Sequence, residues 1–246
     1  MQKKKYHNVS ALIAQDFGLQ ILRYLKKNKI LLDTLIIDSK YKEKDKLEII
    51  RSKIAKNFFF ANDKFNLKII KFLKDSKFVQ CLSFWWPYIL KKDFLCLFKY
   101  GVVNCHASYL PFERGLYSYV HSIRNQHPKG VTLHFMDKFG KVDLGKIIYQ
   151  KKLIVKDFIN GSELEKILYL ECLKLYKKKM KDLLNQKFNF TKLKKIRRTP
   201  QNFRKNLDKA TFIHLNKKYL ASDLIYTILS RSGFKKGGAH FKYKNK

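Results

Sequence analysis

Gly101-Val102-Val103-Asn104-Cys105-His106-Ala107-Ser108-Tyr109-Leu110-Pro111 is an apolar run that ends in polar groups and a proline. If Tyr100 to Cys105 is a strand, Asn104 and His106, separated by one residue, project on the same side at its end. That is where open α/β sheets place their ligands. An amide can donate to a carbonyl oxygen, and an imidazole can donate or accept near neutral pH. A carboxylate downstream, Asp143 in Asp143-Leu144-Gly145, can take a proton from an attacking amine. The trio suits acyl transfer to an amine without a covalent enzyme intermediate. The plain alternative is a hydrogen-bonded polar cluster at a strand end, because an N-x-H pair alone specifies little.

Outward from this strand the pattern alternates. Val9 to Ala14, Leu31 to Ile37, Asn57 to Phe60 and Phe78 to Trp85 read as further strands. Asp16-Phe17-Gly18 leads into a helix over Leu19 to Lys26, and Lys44 to Lys56 and Asn66 to Lys74 also have helical spacing. Such alternation argues for a parallel sheet with crossover helices. Leu116 to Asn125 predicts a helix after the His106 loop, and Val131 to Met136 and Lys146 to Val155 two more strands, with an antiparallel pair as one option. Gly161-Ser162 with Glu165 reads as a capping box before a long amphipathic helix, Leu164 to Leu184. Beyond residue 190 come a basic linker through Pro200, one helix over Ala221 to Ser232, and glycines at Gly237-Gly238. The fold class is therefore α/β, a Rossmann-like, mostly parallel sheet with flanking helices. The division is a catalytic domain over 1–190 and a small C-terminal subdomain over 191–246.

An apolar content of 46% fits a folded chain, and 54 basic against 19 acidic residues give a formal charge of +35. Clustered lysines bind nucleic acid through counterion release. Here lysines occur along nearly the whole sequence, with tight runs only at places such as Lys177-Lys178-Lys179 and Lys192 to Arg198. The charge reads as a lysine-loaded, solvated surface that also attracts anionic substrates, and nucleic acid is not the expected partner. Cys81, Cys96, Cys105 and Cys172 form no C-x-x-C pair, so reduced thiols and no metal are expected. The basic Lys3 to Lys5 precedes only a short apolar stretch interrupted by Gln15-Asp16, which is not a signal peptide. Phe78 to Leu90, with Gln80 and Pro87, is too short to span a bilayer. A cytoplasmic protein without a membrane association is expected.

The window from Gly101 to Gln150 resembles the 10-formyltetrahydrofolate-dependent formyltransferases. Their N-x-H-x-S-x-L-P segment, following R-G, G-V-T-x-H strand and D-x-G loop have counterparts in Asn104, His106, Ser108, Leu110, Pro111, Arg114-Gly115, Gly130 to His134 and Asp143-Leu144-Gly145. The loop from Met136 to Val142 is about two residues longer than usual, which raises Asp137 beside Asp143 as a candidate carboxylate; the Leu-Gly that follows favours Asp143. The resemblance implies catalytic roles for Asn104, His106 and Asp143, with 10-formyltetrahydrofolate as co-substrate. The pterin would sit against Leu82 to Leu90, through Trp85, Trp86, Tyr88, Ile89 and Leu90 and chiefly through backbone groups, with Asp137 to Asp143 as the other wall. Ser108 would brace the loop. His134 reads either as a support behind the site or as a satisfied core histidine.

Three members of the family compete for the acceptor. Glycinamide ribonucleotide formyltransferases carry a glycine-rich phosphate turn after the first strand, where this sequence has Ala14-Gln15-Asp16-Phe17-Gly18. Methionyl-tRNA formyltransferases would explain the charge but carry a C-terminal β-barrel, and strand-like patterning after residue 190 is sparse. The sugar N-formyltransferases resemble the chain in length, in the wording N-x-H-x-S-Y-L-P and in Pro128-Lys129-Gly130-Val131-Thr132-Leu133-His134. They imply an acceptor amine on a nucleotide-linked deoxysugar, such as dTDP-4-amino-4,6-dideoxyglucose or its 3-amino isomer, for bacterial surface polysaccharide and O-antigen, and a homodimer. Arg114 and Tyr117 would reach the sugar or diphosphate; for Arg114 the plain alternative is surface solvation or bracing of its loop. A methionyl-tRNA formyltransferase-like enzyme and a non-catalytic nucleic-acid-binding protein on the same scaffold are the alternatives.

Overall fold

Five apolar runs form the parallel half of the sheet: β1 (His7–Ile13), β2 (Leu32–Asp38), β3 (Ala55–Ala61), β4 (Gln80–Phe84) and β5 (Gly101–His106). Helices α1 (Gln15–Lys27), α2 (Glu43–Arg51), α3 (Leu67–Ser76) and α4 (Lys92–Leu95) connect them. The structure, a computed structural model, describes residues 6–191, 200–235 and 238–242. All of β4 and most of β1 and β2 are buried, as continuous hydrophobic runs in a two-faced parallel sheet should be. After β5 follow α5 (Ser118–Arg124), β6 (Lys129–Phe135), β7 (Ile147–Leu153), α6 (Gly161–Leu184), α7 (Arg204–Thr211) and α8 (Ala221–Arg231).

The seven strands lie in the order β3-β2-β1-β4-β5-β6-β7, with β3·β2, β2·β1, β1·β4 and β4·β5 parallel. The order reverses between β1 and β4, and such a switch point leaves a crevice beyond the strand ends. Ile13 pairs with Phe84 and Ser83 with Asn104, so β1, β4 and β5 finish nearly level. The next strand runs the other way. Met136 N–H donates to Val102 O (2.7 Å), while Thr132 Oγ1 donates to Ser108 O (2.7 Å), so positions descend along β6 as they rise along β5. Phe135 N–H donates to Lys146 O (2.9 Å) and Gly130 lies against Lys151 O, which makes β6 antiparallel to β7 as well.

Several boundaries differ from the sequence reading. α1 starts at Gln15, so Asp16-Phe17-Gly18 is its first turn and not a lead-in; Phe17 is fully buried, and Gly18 N–H already donates to Ala14 O (2.9 Å). α2 stops at Arg51, because Lys53 is left-handed (φ 52°) and Ala55 already pairs with Leu32 in β3. α5 starts at Ser118 because Tyr117 is left-handed (φ 54°). The capping box of α6 is Asn160 with Glu163: Glu163 N–H donates to Asn160 Oδ1 (2.9 Å), and Asn160 N–H donates to Glu163 Oε2 (3.4 Å). Glu165 instead hydrogen-bonds Tyr119. The tail holds a helix the periodicity missed, α7, whereas the basic run Lys192 to Arg198 and Gly237 lie outside the described residues.

The chain clusters into two compact units. One comprises the described residues up to 105 with 133–148 and 173–190; the other comprises 106–132, 149–172 and the described residues after 190. In the first unit the hydroxyl of Tyr176, on α6 and 1% exposed, donates to Ser83 O (2.7 Å) and Val103 O (3.3 Å), the carbonyls just before the ends of β4 and β5. In the second unit Gly161 lies against Ser230 O with no room for a side chain, and the rings of Phe158 and Tyr226 stack at 6.0 Å. Tyr176→Phe removes a buried donor from two strand-end carbonyls, and we expect it to lower unfolding free energy by about 1 to 3 kcal/mol, measured by denaturant titration.

Candidate active site

In the first unit, Asn104 is partly exposed at the end of β5, whereas Cys105 beside it is buried, so the strand alternation turns the amide away from the core. Asp143 follows β6 in the chain and is left-handed (φ 53°). Its position depends on two neighbours. Gly145 passes directly against Phe135 O, and any Cβ there would overlap that carbonyl. His134, with no exposed surface, directs Nδ1 to Phe135 O (2.8 Å) and holds Nε2 3.5 Å from Asp143 Oδ1. A carbonyl only accepts, so Nδ1 carries a proton and Nε2 faces the carboxylate. The distance is in ion-pair range and longer than a good hydrogen bond.

The other carboxylate of the loop is engaged differently. Asp137 Oδ1 accepts the N–H groups of Phe139 (2.9 Å) and Lys141 (3.2 Å), a local turn that braces the Met136 to Val142 loop. The two acids raised by the sequence are thereby separated by environment, Asp137 within its own turn and Asp143 against a buried imidazole.

Trp85 to Leu90 leaves the sheet after β4 without regular structure. The Trp85 ring stacks on Phe17 (4.8 Å, 19°), and Trp86 stacks on Phe65 (5.9 Å) and meets Tyr88 edge-on (5.4 Å). Leu90 is buried in the same apolar core as Trp86. The Tyr88 hydroxyl donates to Asp38 Oδ1 (3.2 Å), and Ile89 is 72% exposed. Side chains of Trp85, Trp86 and Leu90 are thus committed to packing, and the segment offers mainly backbone groups at the switch point. Trp86 Nε1 is buried with no hydrogen-bond partner among the described residues, a donor that a pterin acceptor could satisfy. The segment fits a flat, polar-edged heterocycle in this respect.

In the second unit, His106 is half-buried and its Nε2 lies 2.9 Å from Glu113 O. The carbonyl requires Nε2–H, so the neutral ring carries its lone pair on Nδ1 and the imidazolium carries a second N–H there. Ser108 Oγ donates to Phe112 O (2.8 Å), and Ser108 O accepts from Thr132 Oγ1, closing the loop onto β6. Arg114 is partly exposed and its carbonyl accepts Asn202 N–H (2.8 Å). The Tyr117 hydroxyl lies 3.5 Å from Arg204 Nε, which donates to it.

The sequence reading passed over Glu113, a carboxylate 1% exposed whose oxygens meet Asn125, His127 and Asn202. Its only signal was an acid placed between Phe112 and Arg114 in a very basic chain. Among the described residues, no group of three or more His, Cys, Asp or Glu side chains could hold a metal ion, and no helix is long and apolar enough to cross a membrane.

Residues 7–169 match the family described as Formyl transferase, and the chain belongs to that family. Among curated proteins it is 31% identical over 158 residues to the bifunctional polymyxin resistance protein ArnA of Wigglesworthia glossinidia brevipalpis, covering 62% of this chain and 24% of that protein. It is 37% identical over 81 residues to the methionyl-tRNA formyltransferase of Carboxydothermus hydrogenoformans, covering 32% of this chain and 26% of that protein. These matches span only about a quarter of the relatives' lengths. The fold resembles that of a sugar N-formyltransferase from Shewanella sp FDAARGOS_354, at TM-score 0.77, 17% identity, 96% of this chain and 92% of that one. It also resembles the Helicobacter canadensis N-formyltransferase in complex with folinic acid and dTDP-3-aminofucose, at TM-score 0.68, 19% identity, 91% of this chain and 80% of that one.

Burial holds the His121 imidazole below the ordinary histidine value of 6.5, outweighing the pull of Glu113 upward, with Arg124 pushing the same way as burial. The unfolded chain takes up this proton first as pH falls, so the contribution of His121 is intact above about pH 6.5 and is lost below it. Denaturant unfolding at about pH 7 and about pH 5 should show a smaller acid-side loss of stability in His121→Leu than in the wild type.

Proposed function

We propose that this protein is a sugar N-formyltransferase that transfers a formyl group from 10-formyltetrahydrofolate to the amine of a nucleotide-linked amino deoxysugar. The observation that carries this reading is an Asp143 held by buried His134 in the same unit as Asn104 at the end of β5, on a fold whose likeness to sugar N-formyltransferases runs through nearly the whole chain. The likeness to methionyl-tRNA formyltransferases covers about a third of it.

10-Formyltetrahydrofolate supplies an activated formyl carbon, and the segment after β4 receives it through backbone groups. Asp143 would accept the proton that the attacking amine must lose, directly or through a water, and its relay to N10 by Asp143 or His106 would let the bond from N10 to the formyl carbon break and tetrahydrofolate leave. His134 sets the carboxylate's orientation from behind. Asn104 donates from its amide to the oxygen on which negative charge grows, where a preplaced donor lowers the barrier most. His106 has its Nε2–H engaged by Glu113 O, so it donates from Nδ1 only as the imidazolium; the neutral ring offers a lone pair instead. Arg114 and Tyr117, in the loop between β5 and α5, suit the sugar or diphosphate of the acceptor. On this reading the acceptor is dTDP-4-amino-4,6-dideoxyglucose or its 3-amino isomer, and the product serves surface polysaccharide.

Replacing His106 with Ala should lower formyl transfer to an amino-sugar nucleotide by about a hundredfold or more while leaving its binding nearly intact, read by product mass and by calorimetry. Asp143→Asn should be at least as severe. Unchanged turnover in either variant would contradict the assignment.

A further inference from the structure

Glu113 combines two unfavourable features, a left-handed backbone (φ 51°) and a buried carboxylate. Neither persists unless neighbouring groups hold it in place. Within the second unit those groups come from separate parts of the chain. Asn125 Nδ2 donates to Oε1 (3.0 Å), His127 Nδ1 lies 2.5 Å from the same oxygen, and Asn202 Nδ2 donates to Oε2 (2.8 Å).

The backbone repeats the link to the tail. Asn202 N–H donates to Arg114 O (2.8 Å), and Leu116 N–H donates back to Asn202 O (3.0 Å), which pairs Gly115 with Asn202 as a parallel bridge. Gly115 is itself left-handed (φ 86°), and a Cβ there would overlap Asn202 O. The glycine of the R-G pair is therefore what admits the tail. Two residues further along, Arg204 reaches the Tyr117 hydroxyl. One residue before Arg114 O, Glu113 O takes the His106 Nε2–H.

We propose that residues 201–204 form a strap over Glu113 to Tyr117, and that Glu113, clamped by Asn202, is a positioning residue that sets both the His106 ring and the acceptor-binding segment. The inference rests on the sugar N-formyltransferase reading for its kinetic consequence. It makes the stretch after Pro200 a working part of the acceptor side.

The test uses the full chain with Asn202→Asp, Glu113→Gln and the double variant. Asn202→Asp brings two carboxylates together, and the double variant restores one amide facing one carboxylate with the partners exchanged. Asn202→Asp should raise KM for an amino-sugar nucleotide about tenfold, the effect of losing a hydrogen bond to a charged group, with KM for 10-formyltetrahydrofolate nearly unchanged. The double variant should recover much of that loss. Equal rises in both KM values, an unchanged acceptor KM, or no recovery in the double variant would overturn the proposal. Hydrogen exchange separates the strap from the substrate assignment: amides 114–117 should exchange faster in Asn202→Asp and recover in the double variant, even if the wild type formylates no sugar nucleotide. Unaltered exchange would overturn the strap.

Discussion

Gly145 lies against the carbonyl of Phe135 so closely that no side chain fits, and that approach brings Asp143 to the buried ring of His134. The ring's other nitrogen is committed to the same Phe135 carbonyl. One backbone oxygen thus limits both the path of the D-x-G turn and the orientation of the histidine behind it. The antiparallel insertion of β6 between β5 and β7 makes this possible, because it brings Met136 to Val102 and so carries Phe135 and His134 alongside the later part of β5. The sheet is parallel where it forms the switch-point crevice and reversed where it carries the carboxylate's support.

A second constraint acts on His106. Its Nε2–H is engaged by the Glu113 carbonyl, so Nδ1 accepts in the neutral ring and donates only in the imidazolium. Asn104 needs no such choice, since its amide always donates. The two polar residues of the N-x-H segment therefore differ: the amide donates in every state, whereas the tautomer of the imidazole is set by the Glu113 carbonyl. The high positive charge adds long-range attraction for an anionic folate or diphosphate without specifying either.

Much of the sheet was legible because buried parallel strands are continuous apolar runs, and Leu32 to Asp38 and Gln80 to Phe84 have that character. The turn chemistry was less so. Lys53 and Tyr117 adopt left-handed backbones that no composition signals, and each moved a helix boundary. The α6 cap fell on Asn160 rather than on Gly161-Ser162, because an Asn with Glu three residues later competes equally with the pattern expected. At the site, spacing placed Asn104, His106 and Asp143 in order, but it could not tell that Trp85 stacks on Phe17 or that Trp86 belongs to the core. Nor could it find Glu113, whose partners at Asn125, His127 and Asn202 are joined only by the fold.

The most direct measurement is a mass-spectrometric competition assay in which the purified protein and 10-formyltetrahydrofolate meet a panel of dTDP-amino sugars together with methionyl-tRNA. The account predicts that one dTDP-amino sugar gains the mass of a formyl group while the tRNA does not. Formylation of the tRNA alone, or of no acceptor in the set, would contradict it.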